Sequence, residues 1–413
     1  MKTTIVGFTV GFKRGVIMSF KTVDALSADI LDENFLKVFE PLHFVQKILG
    51  FHRVKIAYRF VTESSINYKF YSCILWTIHS ISLIVNLNCS SILGSAKIDV
   101  LLRLSLAING VFNTFIAWQN NFCDEELNSK LYVKLQKIDR ELKMSNAVLF
   151  NKRLTVLSYL VTFAGTLACF TWTITCSIVV AQQICYSTLL IMAMSIANCY
   201  EIFLLWIILL FLIIRVTHVN NILRAKLSLY TSDTPTEYNK KDLWTVNSYE
   251  KSENSKYQEL VYSVYSILDT LADVTKLFRF PVFAFTTQVL LCNLALVQCY
   301  IDSVKEKVEI RGYLWASTIP VQVCLGTIVL VISITAGYLT SSLERTRKLS
   351  LNIKSLLNNS PVREKVRNML KTIESSPPRF SVYGMWNIEG MFLLRLFSIV
   401  TAMIVTELQL LLL

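Results

Sequence analysis

LTVLSYLVTFAGTLACFTWTITCSIVVAQQICYSTLLIMAMSIANCY, residues Leu154 to Tyr200, runs for 47 residues without an Asp, Glu, Lys or Arg. A helix needs about 20 predominantly apolar residues to cross the hydrocarbon core of a bilayer, so this stretch holds two spans. The polar Ala181-Gln182-Gln183 marks the turn between them, and the second span continues past Glu201 to Ile214. Outward from it lie five more apolar runs: Phe70–Ala96, Leu104–Cys123, Phe280–Ile301, Gly312–Leu343 and Asn387–Leu413. These runs are continuously apolar instead of alternating, which selects helices over a barrel. The sequence therefore predicts an all-α membrane protein with seven transmembrane helices. Composition agrees. The 413 residues are 53% hydrophobic and 17% charged with a mean hydropathy of +0.48, whereas soluble chains carry about 25% charged residues.

Charge sidedness sets the orientation. Of the 41 Lys and Arg, 35 fall in the segment through Lys69 and in the loops 119–153, 215–279 and 338–386, all on one face. The opposite face has Lys97, Lys305, Lys307 and Arg311, and Arg103 and Arg395 lie within spans. The basic face is the cytoplasmic one, which places the N-terminus in the cytoplasm and the C-terminus outside. A net charge of +12 is thus an orientation signal and not a nucleic-acid footprint. A seven-helix receptor coupled to G proteins has the reverse orientation, and neither Asp-Arg-Tyr after the third span nor Asn-Pro-x-x-Tyr in the seventh is present.

The chain divides accordingly. Residues 1–69 form a cytoplasmic N-terminal segment, whose start, MKTTIVGFTVGFKRGVIM, does not read as a signal peptide. Residues 70–343 hold six spans, near 70–89, 100–119, 154–180, 186–214, 280–301 and 313–338. Residues 344–386 are cytoplasmic helices and 387–413 the seventh span. Ser255–Lys276 repeats Leu260, Val264, Leu268 and Leu271 at helical spacing, and Ser341–Leu357 and Val362–Ile373 read similarly. Such amphipathic helices either build an inner layer or lie on the membrane surface. Thr231–Ser255 is polar and reads as a loop.

The seventh span carries Arg395, Ser398, Ala402, Thr406 and Gln409, spaced 3, 4, 4 and 3 along one helix face. A polar stripe facing lipid is costly, so it faces protein or water. Two readings stand: a pore lining that hydrates a passing cation, or a helix contact joined by small and polar residues. Glu407 fits either a carboxylate ring at an outer mouth or a carboxylate reaching for the interface. Enzymatic and metal chemistry have no support: the four His show no ligand spacing, and no phosphate loop or catalytic triad signature occurs. No cofactor is expected. The 10 Cys form no framework, although Cys89 and Cys185 both fall on the outer face.

Pro41-Leu42 through Lys47-Ile48-Leu49-Gly50, Arg215 with Asn220 and Asn221, and Phe380–Glu389 followed by Leu394-Arg395-Leu396 resemble segments of the insect gustatory receptors, especially moth and butterfly members. That family's C-terminal signature is Thr-Tyr, five hydrophobic residues, then Gln-Phe. Here it reads Ala402-Met403, Ile404 to Leu408, Gln409 and Leu410, a degraded version typical of neither its Tyr nor its Phe. The chain also looks unlike the sugar-receptor branch, which points to a divergent, bitter-type member.

The resemblance implies a plasma-membrane chemoreceptor that is not an enzyme: a ligand-gated, non-selective cation channel. It implies a homotetramer, or a heteromer with related receptors, with the seventh spans around a central pore and Gln409 and Leu410 at its constriction. Each subunit's first six spans would enclose a pocket for a small-molecule tastant, open to the outside. Candidates on the outer halves are Arg103, Phe170, Trp172, Gln183, Tyr186, Gln298, Tyr300, Trp315 and Gln322. Aromatic walls with a few hydrogen-bonding groups suit such ligands, but Trp and Tyr near span ends also serve as interfacial anchors. An odorant-receptor-type subunit shares this architecture. A transporter would show internal repeats or broken midplane helices.

Overall fold

The computed structural model describes residues 30–88, 96–144, 147–180, 196–232, 243–306, 312–356, 361–375, 380–388 and 392–412. Helix α1 (Glu33–Ile48) leads into a hairpin of β1 (Lys55–Ala57) and β2 (Phe60–Thr62), with Ile56 opposite Val61. Tyr58 and Arg59 turn it with φ of 51° and 70°, the left-handed pair that a two-residue hairpin loop requires. Mutual contacts hold the turn, with the Leu31 amide donating to the Arg59 carbonyl and Arg59 Nε to the Leu31 carbonyl, each at 2.8 Å.

Next come α2 (Ile66–Asn88), α3 (Ala96–Trp118), one π-helical turn at Gln119–Cys123, and α4 (Glu125–Leu142). They are followed by α5 (Ala147–Val180), α6 (Ala197–Ser232), α7 (Leu243–Glu306), α8 (Gly312–Leu356) and α9 (Pro361–Ser375). A second hairpin, β3 (Ser381–Val382) with β4 (Trp386–Asn387), precedes α10 (Phe392–Leu412). Among the described residues, four stretches are long and apolar enough to cross a membrane by length and composition alone: Ala147–Ala168, Ala197–Ser228, Tyr257–Gln298 and Gln322–Leu356. α2, α3 and α10 add apolar helices of 23, 23 and 21 residues.

Several helices overshoot a bilayer. α6, α7 and α8 have 36, 64 and 45 residues, or about 54, 96 and 68 Å at 1.5 Å per residue, against roughly 30 Å of hydrocarbon. Their excess length, with α4 and α9, builds a layer of packed helices: α4 and α9 both lie against α7, and α9 also against α8. α4 shows why: Leu131, Leu135, Ile138 and Leu142 recur on its buried face while Lys130 and Lys137 stay outside. The polar stretch expected as a loop at Thr231–Ser255 is mostly helical instead. α6 runs on to Ser232 and α7 begins at Leu243, with 233–242 outside the described residues. Polarity at 231–232 and 243–255 marks helix that has left the apolar zone.

α6 is the central post. Ile202, Leu205, Ile207, Ile208, Phe211 and Leu212 are all fully buried, and α6 packs against α1, α7 and α8. At the other extreme, α2 keeps Phe70, Ile74, Ile78 and Ile81 exposed and α5 keeps Val156, Leu160, Phe163 and Leu167. Those apolar outer faces are what lipid contact demands. The second hairpin is fastened to α7, where Arg279 stacks 5.0 Å over the Tyr383 ring and Phe283 meets its edge. Gly384, at φ 71°, completes its turn in a conformation that suits glycine.

Candidate pore and ligand site

The seventh apolar run folds as α10, anchored on α7 and α8. Phe392 and Leu396 are buried against the rest of the chain. The stripe points elsewhere: Arg395, Ser398, Ala402, Thr406 and Gln409 are all exposed. Thr406 Oγ1 donates back to the Ala402 carbonyl at 2.9 Å, which satisfies the hydroxyl within the helix. Glu407 and Leu410 lie in the same helix, their side chains outside the described set. A single chain therefore leaves a small and polar helix face uncovered beside the buried Phe392 and Leu396.

The ligand candidates scatter. Gln183 and Tyr186, like the Ala181–Gln183 turn and the Cys89–Cys185 pair, lie outside the described residues, and the side chains of Trp172, Tyr300 and Trp315 do too. Phe170 is 63% exposed on the outer face of α5. Arg103 turns across to α2 and donates to the Leu87 carbonyl. Gln298 is half-buried on α7. Gln322 and Ser105 both lie beside the Cys292 side chain, so a polar seam joins α3, α7 and α8, and Gln322 Oε1 has no hydrogen-bond partner among the described residues.

The seam continues along α3. Ser105, Asn109 and Asn113 are all buried at a spacing of four, with Asn113 Nδ2 donating to Asn109 Oδ1 at 3.0 Å. Gln288 Oε1, Asn113 Oδ1 and both ring nitrogens of the buried His79 have no hydrogen-bond partner among the described residues. Convergent polar groups on apolar helices are what an orienting ligand site uses. The four-residue spacing on α3 was visible as a pattern, yet a helix face cannot be assigned an inward direction from spacing alone. A groove of about 460 Å³ lies elsewhere, among α4, α7 and α9. Lys134 bridges its wall, pairing with Asp269 and Asp273 at 2.6 and 2.5 Å, and none of the ligand candidates lines it.

The most densely bonded polar cluster is one that sequence reasoning missed. Glu201, buried in α6, does not sit alone. Its partner is Arg53, from the segment before α2, which donates to Oε2 from Nε at 3.0 Å and Nη2 at 2.5 Å. Gln46 and Asn120 donate to Oε1 at 3.1 and 3.0 Å. Arg53 and Glu201 are 2% and 0% exposed, so each needs the other. A second buried pair sits lower on α6: Arg215 donates to Asp139 at 2.7 and 3.0 Å and to Asn151 at 2.8 Å, over the Phe211 ring. Near Arg53, His43 accepts or donates at 2.7 Å to the buried Tyr132 hydroxyl. Burial holds His43 well below the usual imidazole range, and it pushes His52 down to about 4.

No protein-family model matches this sequence, and no curated protein does. Solved structures do. The insect olfactory receptor OR5 from Machilis hrabei, determined in complex with eugenol, is similar with a TM-score of 0.67 at 11% identity, over 92% of this chain and 100% of that one. The chain therefore has that receptor's fold, an all-α multi-pass membrane architecture.

Proposed function

We propose that this chain is an insect chemoreceptor subunit that works as a ligand-gated, non-selective cation channel in the plasma membrane, with its N-terminus inside. We assign it to the gustatory type, for bitter or plant secondary compounds. The observation that carries the channel reading is the exposed stripe Arg395–Gln409 on α10, within a fold shared with an olfactory receptor. Four copies arranged about an axis would turn the stripe inward, where Ser398, Thr406 and Gln409 can hydrate a cation. Residues 344–386 then serve as the inner anchor, and the first six spans hold the tastant. The gustatory assignment rests on the Phe380–Glu389 approach and on Gln409. The matched olfactory receptor favours a second reading, an odorant-receptor-type subunit that needs a co-receptor.

Expression of this chain alone in oocytes, challenged with bitter compounds and with eugenol, separates these. Ligand-evoked cation currents altered by Gln409→Ala support the homomeric taste channel. Currents that arise only with an added co-receptor favour the odorant type. Transport of a labelled solute without current defeats both, and an N-terminal tag accessible on intact cells defeats the orientation.

A further inference from the structure

Glu201 stands out on a helix that is otherwise apolar through Ile214. It is the only acidic residue between Glu141 and Asp233, and its carboxylate is wholly buried. Both its oxygens are used, and the groups that use them come from three separate parts of the chain: Gln46 on α1, Arg53 in the segment before β1, and Asn120 in the π-helical turn after α3. Arg53 reaches further still. Its Nη1 donates to Asn128 Oδ1 on α4 at 3.1 Å, and its guanidinium lies 4.3 Å over the ring of Phe278, three residues before Pro281 in α7. Beside it, Asn121 Nδ2 donates to the Gly50 carbonyl at 3.2 Å and to Ser72 Oγ on α2 at 3.1 Å. Gly50 is held at φ +76°, where a Cβ would lie 3.0 Å from Trp76 Nε1. Five helices thus meet at one ion pair, α1, α3 through its π-helical turn, α4, α6 and α7, and Asn121 ties in the start of α2, at the level where α3 ends and the inner helical layer begins.

A π-helical turn is rare and recurs at functional positions. Here it aims two consecutive asparagines in different directions, Asn120 at Glu201 and Asn121 at Gly50. A buried ion pair is weak evidence of added stability, because well-packed apolar residues serve at least as well. What it supplies is one geometry, and one that all these helices must share.

We propose that the Arg53–Glu201 pair is a positioning clamp through which movement of the membrane bundle, at the start of α2, the end of α3 and the start of α6, is transmitted to the inner layer of α1, α4 and the lower part of α7. Neither residue touches the ligand seam or the α10 stripe. The clamp rests on the channel reading only for its effect on current. Its mechanical part stands on the fold, so the test has two arms.

In the first arm, hydrogen–deuterium exchange is measured on the purified full chain with Glu201→Gln, Arg53→Lys and the apolar pair Arg53→Met/Glu201→Leu. Glu201→Gln is expected to raise exchange at least tenfold together in 46–53, 118–124 and 272–280, leaving α8 unchanged. Deprotection confined to one of those segments, or spread evenly over the chain, overturns the clamp. In the second arm, the apolar pair is expected to restore the melting temperature lost in Glu201→Gln while whole-cell current, basal or evoked by the bitter panel, stays at least fivefold below wild type. Recovery of current along with the melting temperature means a structural role alone and overturns the proposal. Absence of current from wild type defeats the channel reading and leaves the exchange arm to decide the clamp. Arg53→Lys keeps the charge but loses the two-pronged contact, and an intermediate exchange increase is the expected result.

Discussion

α6 and α10 are both apolar helices long enough for a membrane, yet their surroundings are opposite. α6 is enclosed by its own chain on nearly every side and buries two arginine–carboxylate pairs, one at each end of its apolar run. α10 leans on α7 and α8 through Phe392 and Leu396 and leaves its polar stripe open. The difference separates two uses of hydrophobicity. An all-round apolar helix becomes the core around which a subunit folds. An apolar helix that leaves a polar stripe uncovered, along with Leu394, Ile399 and Val405, contributes little to that core. Damage to α6 is therefore expected to show in stability, and damage to α10 in conduction.

The widest gap comes from placing a carboxylate on each helix. Ile208→Asp buries an unpaired charge at a fully enclosed position, at a cost of order 5 kcal/mol or more, and surface expression should vanish. Ser398→Asp on α10 should express normally and change only the current. Equal loss of expression by both would erase the contrast.

Next is the lower ion pair. Arg215→Met strands the nearly buried Asp139 carboxylate, which costs about 3–5 kcal/mol. The double variant Arg215→Met/Asp139→Leu should recover most of the melting temperature in detergent; failure to recover would mean the pair does more than satisfy itself. Leu205→Ala, a truncation in the enclosed face of α6, should cost about 2–5 kcal/mol, while Ala402→Ser on the open stripe leaves the melting temperature unchanged.

Acid should weaken the region around α1 and leave α10 untouched. His52 has a folded value near 4 against an unfolded value of 6.5, because burial disfavours its charged form. The unfolded chain then binds more protons between those limits, so stability is complete above about pH 6.5 and falls as pH drops toward 4. The melting temperature should decline from pH 7 to 5, and His52→Gln should flatten that slope. An identical slope in the variant would remove His52 as its cause.

What the sequence disclosed follows from which forces are local. Charge-free runs such as Leu154–Tyr200 report burial or lipid contact residue by residue, and each of the seven runs contains or adjoins a helix in the structure. Helix excess beyond the membrane was harder to see, because residues 231–255 look like loop when polarity is read without the inner layer that covers their continuation. The partner of Glu201 was out of reach. Arg53 lies 148 residues away, in a segment whose amphipathic pattern says nothing of what it packs against. Side-chain direction was least legible, because spacing gives a helix face but not its direction: Phe170 is exposed while Ser105 and Asn113 are buried. That the stripe residues share one exposed face of α10 was legible, because face-sharing follows from spacing alone.

The central claim is that this stripe lines a cation path. Gln409→Cys, expressed alone and exposed from outside to a small cationic thiosulfonate while current is recorded, tests it directly. Progressive, irreversible block, absent in wild type and in Val156→Cys on the outer face of α5, is the expected result. Current that persists unchanged in Gln409→Cys, with the thiol shown to be modified, would contradict it.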